Sequence, residues 1–269
     1  MAIIALHSAA SGLSALSTHI DILANNLANV NTNGFKAQRT NFQDLLYQEK
    51  MQPGVENANG DQRPVGLYVG LGTRIASTQH DFDTGSAIAT DGPLDMMING
   101  NGFFQVSIIE DVGDGIGYTR AGNFAVNRDG EIVLANADGP RIEPPITIPQ
   151  QATDIQITAD GVVFGLLPGD AEPQEFGQVQ LANFTNPGGL KPQGKNIFIQ
   201  TAASGPSIQG NPGEGGFGTI LHRFQESSNV DPVKELVELI KTQRAFEMNS
   251  QTIQAADEAL QVIGNLRRF

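Results

Sequence analysis

The sequence predicts an α+β protein: long N- and C-terminal helices forming a coiled coil, a central all-β domain, and an extended segment between. Three observations predict it. Apolar residues recur at heptad spacing near both ends. Turn dipeptides such as Asn99-Gly100, Asp129-Gly130, Asp138-Gly139 and Asp160-Gly161 punctuate the middle. Pro53, Gly54, Gly60, Pro64, Gly66, Gly70 and Gly72 crowd residues 47–72. The chain accordingly divides into residues 1–34 plus 228–269 (terminal helices), 35–75 (extended or hairpin segment) and 76–227 (β domain).

Residues 3–31 read as one helix. Leu6, Leu13, Leu16, Ile20, Leu23, Leu27 and Val30 form its apolar seam, and six interspersed alanines favour the helix and allow close packing. Asn33-Gly34 ends it, with Gly34 free to take the left-handed conformation. Residues 232–266 read as a second helix. Asp231 is its N-cap and Pro232 its first residue, where a missing N–H costs nothing. Leu239, Phe246, Ile253 and Leu260 repeat every seven residues, with Ile263 three further on. Thr242 and Asn249 fall where apolar residues are expected, and Leu236, Val237 and Ile240 widen the face. Arg267 and Arg268 suit the negative end of the dipole. Such long helices exceed what an ordinary domain uses. A two-helix pair encloses no core, so its apolar faces are expected to pack on other subunits.

Between the helices, short runs have strand character: Leu94–Ile98, Phe103–Ile109, Phe124–Asn127, Glu131–Leu134, Ile155–Thr158, Val162–Leu167, Gln178–Phe184 and Asn196–Gln200. Residues 124–134 read as a hairpin around Asp129-Gly130. Residues 47–72 read as an extended or hairpin-like segment without a core of its own.

Composition narrows the function. The net charge is −13, and residues 51–230 hold eight Lys/Arg against twenty Asp/Glu while both ends are nearly neutral. That disfavours nucleic acid, which needs clustered positive charge. Neutral ends can approach copies of themselves, and the acidic middle favours solubility. There is no cysteine, hence no disulfide, thiolate metal site or cysteine nucleophile. No transmembrane run and no cleaved secretory signal is expected. The four histidines, His7, His19, His80 and His222, lack metal spacing, and His7 and His19 lie off the heptad seam. Gly70-Leu71-Gly72 is a fragment of a glycine-rich loop without the helix a phosphate site needs. Asp111, Asp114 and Gly115 lack the spacing and closing Glu of a calcium loop. No metal, cofactor, small-molecule substrate or catalytic residue is expected, and the chain reads as a non-enzyme.

Two segments carry more than pattern. One holds Asn25, Asn26, Leu27, Ala28, Asn29, Gly34, Phe35 and Lys36. The other runs through Ser228, Asn229, Val230 and Asp231 to Gln243 and Arg244. They resemble the terminal signatures of the flagellar rod and hook family. Ile98-Asn-Gly-Asn-Gly-Phe-Phe104 and Tyr118-Thr-Arg120 with Gly122 and Phe124 are similar to that family's central segments. Residues 47–74, including Tyr47, Pro53, Gly54, Pro64, Gly66 and Leu67, resemble the stretch carried by its distal-rod members. The run Glu110–Gly117 ahead of Tyr118 is longer than the family pattern.

The resemblance implies a structural subunit that polymerises with itself into a straight, torque-transmitting tube with an export channel. Both seams would serve as assembly interface, residues 47–72 would touch neighbouring subunits and keep the tube straight, and the acidic β domain would face outward. Its implied partners are itself, other rod and hook subunits, the rod bushing rings and the flagellar export apparatus. The implied location is the basal body, spanning the periplasm after export without a cleaved signal. A proximal-rod or hook-type member is the alternative within the family. A secreted β-rich carbohydrate-binding or hydrolytic domain is the alternative outside it.

Overall fold

A computed structural model describes residues 2–56, 62–108, 115–169 and 172–266. The side chain of Ile263, Arg267, Arg268, Asp111, Asp114 and most of the run 110–117 lie outside the described residues. The chain forms two compact units. One comprises Met1–Ala28, Gln38–Gln79 and Asp231–Phe269; the other comprises Asn29–Ala37 and His80–Val230.

In the helical unit, α1 spans Ala2–Ala28 and α2 spans Pro232–Leu266. The start of α2 follows the expected capping: Asp231 Oδ1 accepts from the N–H groups of Val233 and Lys234 at 3.0 and 3.2 Å. Those hydrogen bonds, that of Lys234 foremost, hold the Asp231 carboxyl below its usual range. α1 ends three residues before the predicted boundary. Asn29 begins a turn closed by the Thr32 N–H on the Asn29 carbonyl, so Val30 stands outside the helix it was expected to line. Asparagines favour such local bonds over continued helix. Two antiparallel pairs complete this unit: β1 (Gln38–Asp44) with β4 (Thr73–His80), and β2 (Tyr47–Met51) with β3 (Leu67–Gly70).

The β unit contains β5 (Ala87–Ala89), β6 (Met96–Asn99), β7 (Phe103–Ser107), β8 (Ile116–Thr119), β9 (Phe124–Val126) and β10 (Ile132–Leu134). It continues with β11 (Thr153–Ile157), β12 (Val162–Leu166), β13 (Gln174–Gln178), β14 (Leu181–Asn183), β15 (Lys191–Gly194) and β16 (Ile197–Ile199). It closes with β17 (Ile208–Gly210), β18 (Thr219–His222) and β19 (Phe224–Glu226). A six-stranded sheet has the order β15-β16-β8-β7-β14-β17 and a three-stranded sheet the order β11-β12-β13. The hairpin expected around Asp129-Gly130 is β9–β10, with Ile132 opposite Val126.

Period-two alternation explains the two cores of this unit. Phe104, Leu181 and Ile197 enter one buried cluster with Met96, Ile98, Val106, Ile132 and Val179. Their neighbours Phe103, Ala182 and Phe198 enter a second with Tyr118, Phe184 and Leu190. The second is held edge-to-face: Tyr118 and Phe184 ring centroids are 4.7 Å apart, and Phe82 and Phe198 5.2 Å. One expected strand is corrected. Residues 178–184 do not form a single strand but are divided between β13 and β14, which belong to different sheets. Between them Val179, fully buried, donates its N–H to Gly161 rather than to a strand neighbour.

Candidate assembly site

The described faces of the two helices differ from a simple leucine seam. On α1 the buried positions are Ala9, Gly12, Ala15, Ile22, Leu23 and Asn26. Leu6, Leu13, Leu16, Ile20 and Leu27 are only half-buried, centred roughly a quarter turn around the helix. The closest approach therefore runs over small residues: a Cβ on Gly12 would stand 3.4 Å from Asn249 Nδ2 of α2. On α2 the inward positions include Glu235, Leu239, Thr242, Phe246, Asn249, Ile253, Ala256 and Leu260 at heptad spacing, with Ala245 and Ser250 partly shielded beside them. Thr242, at 4% exposure, is more buried than Leu236, Leu239 or Leu260. Its hydroxyl donates to the Glu238 carbonyl at 2.8 Å, so it needs no other partner there. The polar interruptions read from the sequence are thus part of the packed face, because small side chains let the backbones approach.

Over its first turns the opposite face of α2 is also apolar: Val233, Leu236, Val237 and Ile240 are 44–69% exposed. Gln243 and Arg244 are exposed beside it.

The β2–β3 hairpin is exposed on both faces. Tyr47, Met51, Leu67 and Tyr68 are each about half exposed, and Leu46 and Val65 more so. Hydrogen bonds between Gly54 and Arg63, and between Arg63 and Val55, extend it beyond the strands. Pro53, Gly54 and Pro64 are exposed, whereas Gly66 lies where a Cβ would come within 2.8 Å of the Met51 carbonyl. The turn at Gly70-Leu71-Gly72 rests on α1. Ser11 Oγ accepts from Thr73 N–H at 3.3 Å, Ser8 Oγ donates to the Gly70 carbonyl at 3.4 Å, and His7 Nδ1 lies 3.2 Å from the Leu71 carbonyl. Gly72 has φ +115, and a Cβ there would overlap Ser11 Oγ. Gly72 thus fits the backbone of this turn against the helix. The serines that receive the turn gave no sequence signal beyond interrupting an apolar stretch.

The signature residues have distinct tasks. In the helical unit, Asn26 is 1% exposed. Its Nδ2 donates to the Gln38 carbonyl at 2.8 Å and its Oδ1 accepts the Gln38 N–H at 2.9 Å, as a neighbouring strand would. Nδ2 also lies 3.3 Å from Glu235 Oε2. Asn25 and Ala28 are exposed at the end of α1. His19 contacts Thr40 Oγ1 and packs edge-to-face on Phe42; burial pushes its imidazole pKa down, against the pull of Glu238 and Glu235.

In the β unit, Gly34 has φ +71 and a Cβ would come within 2.6 Å of Ala121 N. Phe35 N–H bonds the Thr32 carbonyl. Asn229 Oδ1 accepts from Ala37 N–H at 2.7 Å while its Nδ2 donates to the Asp81 carbonyl at 2.9 Å. Ser228 Oγ accepts from Val230 N–H, and Val230 is buried. Lys36 is completely buried.

Comparison with known proteins accounts for these signatures. Residues 6–36 match the family model "Flagella basal body rod protein", residues 97–165 the "Flagellar hook protein FlgE/F/G D1 domain", and residues 222–266 the "Flagellar basal body rod FlgEFG protein C-terminal". The flagellar basal-body rod protein FlgG of Caulobacter vibrioides is 47% identical over 98% of this chain and 99% of its own. The chain belongs to the FlgG family of flagellar basal-body rod proteins. FlgG of Agrobacterium fabrum is 42% identical over 96% of this chain and 97% of its own. The flagellar hook protein FlgE of Salmonella typhimurium, at 43% identity, matches only 44% of this chain and 29% of its own. FlgG-family similarity thus runs through residues 47–72 and both terminal helices.

Proposed function

We propose that this chain is a structural subunit of the distal rod of the flagellar basal body, and that it polymerises helically through its terminal helices into a straight tube. It assembles with copies of itself and with other rod and hook subunits. One observation carries the assembly mechanism: at its start α2 exposes an apolar patch, Val233 to Ile240, on the side opposite the face turned inward. Burying the side chains of Val233, Leu236, Val237 and Ile240 on a neighbour would contribute roughly 1 kcal/mol or more for each. The half-buried apolar residues Leu6, Leu13, Leu16, Ile20 and Leu27 add a second contact line. Leu239, Phe246, Ile253 and Leu260 join the helices as a coiled coil. Copies repeating on a helical lattice then give a stiff wall around a channel.

Tyr47, Pro53, Gly54, Pro64, Gly66 and Leu67 form the straightening contact. The two-faced exposure of their hairpin supports this. The rod bushing rings surround the tube, which spans the periplasm. Subunits reach it unfolded through the export apparatus. The role is structural and needs no cofactor.

Negative-stain microscopy of concentrated full-length protein tests the reading. The wild-type chain is expected to form straight tubes. A chain with Val233, Leu236, Val237 and Ile240 all changed to Ser should keep its circular dichroism yet stay dispersed. Tubes from that variant would refute the exposed stripe as the interface. Removing residues 47–72 separates the distal-rod reading from the hook-type one: the former predicts curved or irregular tubes, the latter no change in shape.

A further inference from the structure

The β unit buries three charged side chains against one another. Lys36 Nζ donates to Glu226 Oε1 at 2.6 Å and to the Asp83 carbonyl at 2.7 Å. Arg120 Nη1 stands 3.6 Å from the other carboxylate oxygen, Glu226 Oε2. The three side chains are 0–2% exposed. Arg120 also donates to the Gly100 carbonyl at 2.8 Å and lies over the Phe103 ring, 5.3 Å from its centroid. The Gly85 N–H donates to Glu226 Oε1 at 2.9 Å.

Two buried cations therefore share one anion. Among the described residues, Glu226 Oε2 and Arg120 Nε have no hydrogen-bond partner, so charge rather than a completed hydrogen-bond network holds this side of the cluster. Burial pushes the Lys36 ammonium and the Arg120 guanidinium below their usual pKa values, and Glu226 opposes both shifts. The backbone of the same residue continues the attachment: the Glu226 carbonyl accepts the Gly34 N–H at 2.8 Å, and Asn33 Nδ2 bonds Gln225 Oε1.

We infer that the Glu226 carboxylate is the counter-charge that keeps residues 29–37 seated on the β unit, and that its loss unseats this segment by leaving Lys36 and Arg120 facing each other unneutralised. Removing one partner of a buried ion cluster costs far more than removing a matched pair. The two ends of the arrangement are therefore unequal. Loss of Lys36 leaves a balanced Arg120–Glu226 pair, whereas loss of Glu226 leaves two cations. The inference concerns the β unit alone and stands whether or not the chain polymerises as proposed.

Hydrogen exchange by mass spectrometry on the full chain tests it. Peptides covering residues 29–37 are compared with the core strand Phe103–Ser107. In Glu226→Gln, exchange across 29–37 should accelerate on the order of 100-fold, with the core strand much less affected. In Lys36→Met the acceleration should stay below about tenfold. The double variant Lys36→Met/Glu226→Gln should recover protection relative to Glu226→Gln, because one unneutralised cation is gone. Equal acceleration in the two single variants overturns the inference, as does a Lys36→Met chain that fails to fold or a double variant no better protected than Glu226→Gln. Should Glu226→Gln not fold, a folded double variant supports the inference and an unfolded one overturns it.

Discussion

The side-chain amide of Asn26 pairs with both backbone groups of Gln38, donating at 2.8 Å and accepting at 2.9 Å. A helix residue thereby satisfies the first residue of a strand. Asn26→Ala removes both bonds at a site 1% exposed and should destabilise the helical unit by about 2–4 kcal/mol. Asn26→Asp keeps the acceptor but sets a carboxylate against the Gln38 carbonyl and Glu235. Its ionised form is the destabilising one, so this variant should regain stability as pH falls through the carboxylate range. Urea titrations followed at 222 nm, at neutral and mildly acidic pH, check both statements.

Gly12 separates two demands on α1. Gly12→Ala places a Cβ 3.4 Å from Asn249 Nδ2, at ordinary contact distance, and gains helix propensity of about 1 kcal/mol. It should melt at the wild-type temperature or above. Gly12→Leu forces the helices apart and should lose about 1–3 kcal/mol. Thermal melts distinguish them, and equal melting temperatures would contradict the close approach.

Gly72 allows no such latitude. A Cβ would lie 2.0 Å from Ser11 Oγ and 3.1 Å from Ser8 Cα, at φ +115. Gly72→Ala should cost about 2 kcal/mol or more. Adding Ser11→Ala should rescue only part of it, because the backbone strain and the Ser8 contact remain. Complete rescue would show that the hydroxyl overlap alone matters.

His19 and His80 set a dependence on acid. Burial is the main cause that lowers both pKa values from 6.5. The folded state then binds fewer protons than the unfolded chain. Their share of stability is fully present above about pH 6.5 and is lost as pH falls from there through the depressed native values. Wild-type stability should decline over that window, and His19→Gln combined with His80→Gln should flatten the decline. An unchanged slope in the double variant, measured by urea midpoints, would remove these histidines as its source.

Much of this was legible before any coordinates. Heptad steps marked both helices, Asp231-Pro232 marked the start of α2, and Asp129-Gly130 marked the β9–β10 turn, because each is a local pattern whose physics lies within a few residues. The end of α1 was less legible. Asn29 could have continued the helix or begun a turn, and its hydrogen bonding with Thr32 decided for the turn. The division between β13 and β14 was hidden for a different reason: Val179 finds its backbone partner at Gly161, outside the run itself.

The sequence by itself determined that two long amphipathic helices flank a β-rich middle, and its signatures carried the family. Only the tertiary structure decided which face of α1 is buried, since Ala9, Gly12 and Ala15 win that place by being small enough for close approach while Leu6, Leu13 and Leu16 stand aside. It alone brought Lys36 to Glu226, 190 residues away. A charge declares nothing about its partner until the chain between them has folded, because periodicity records neighbours along an element and burial depends on what arrives across space.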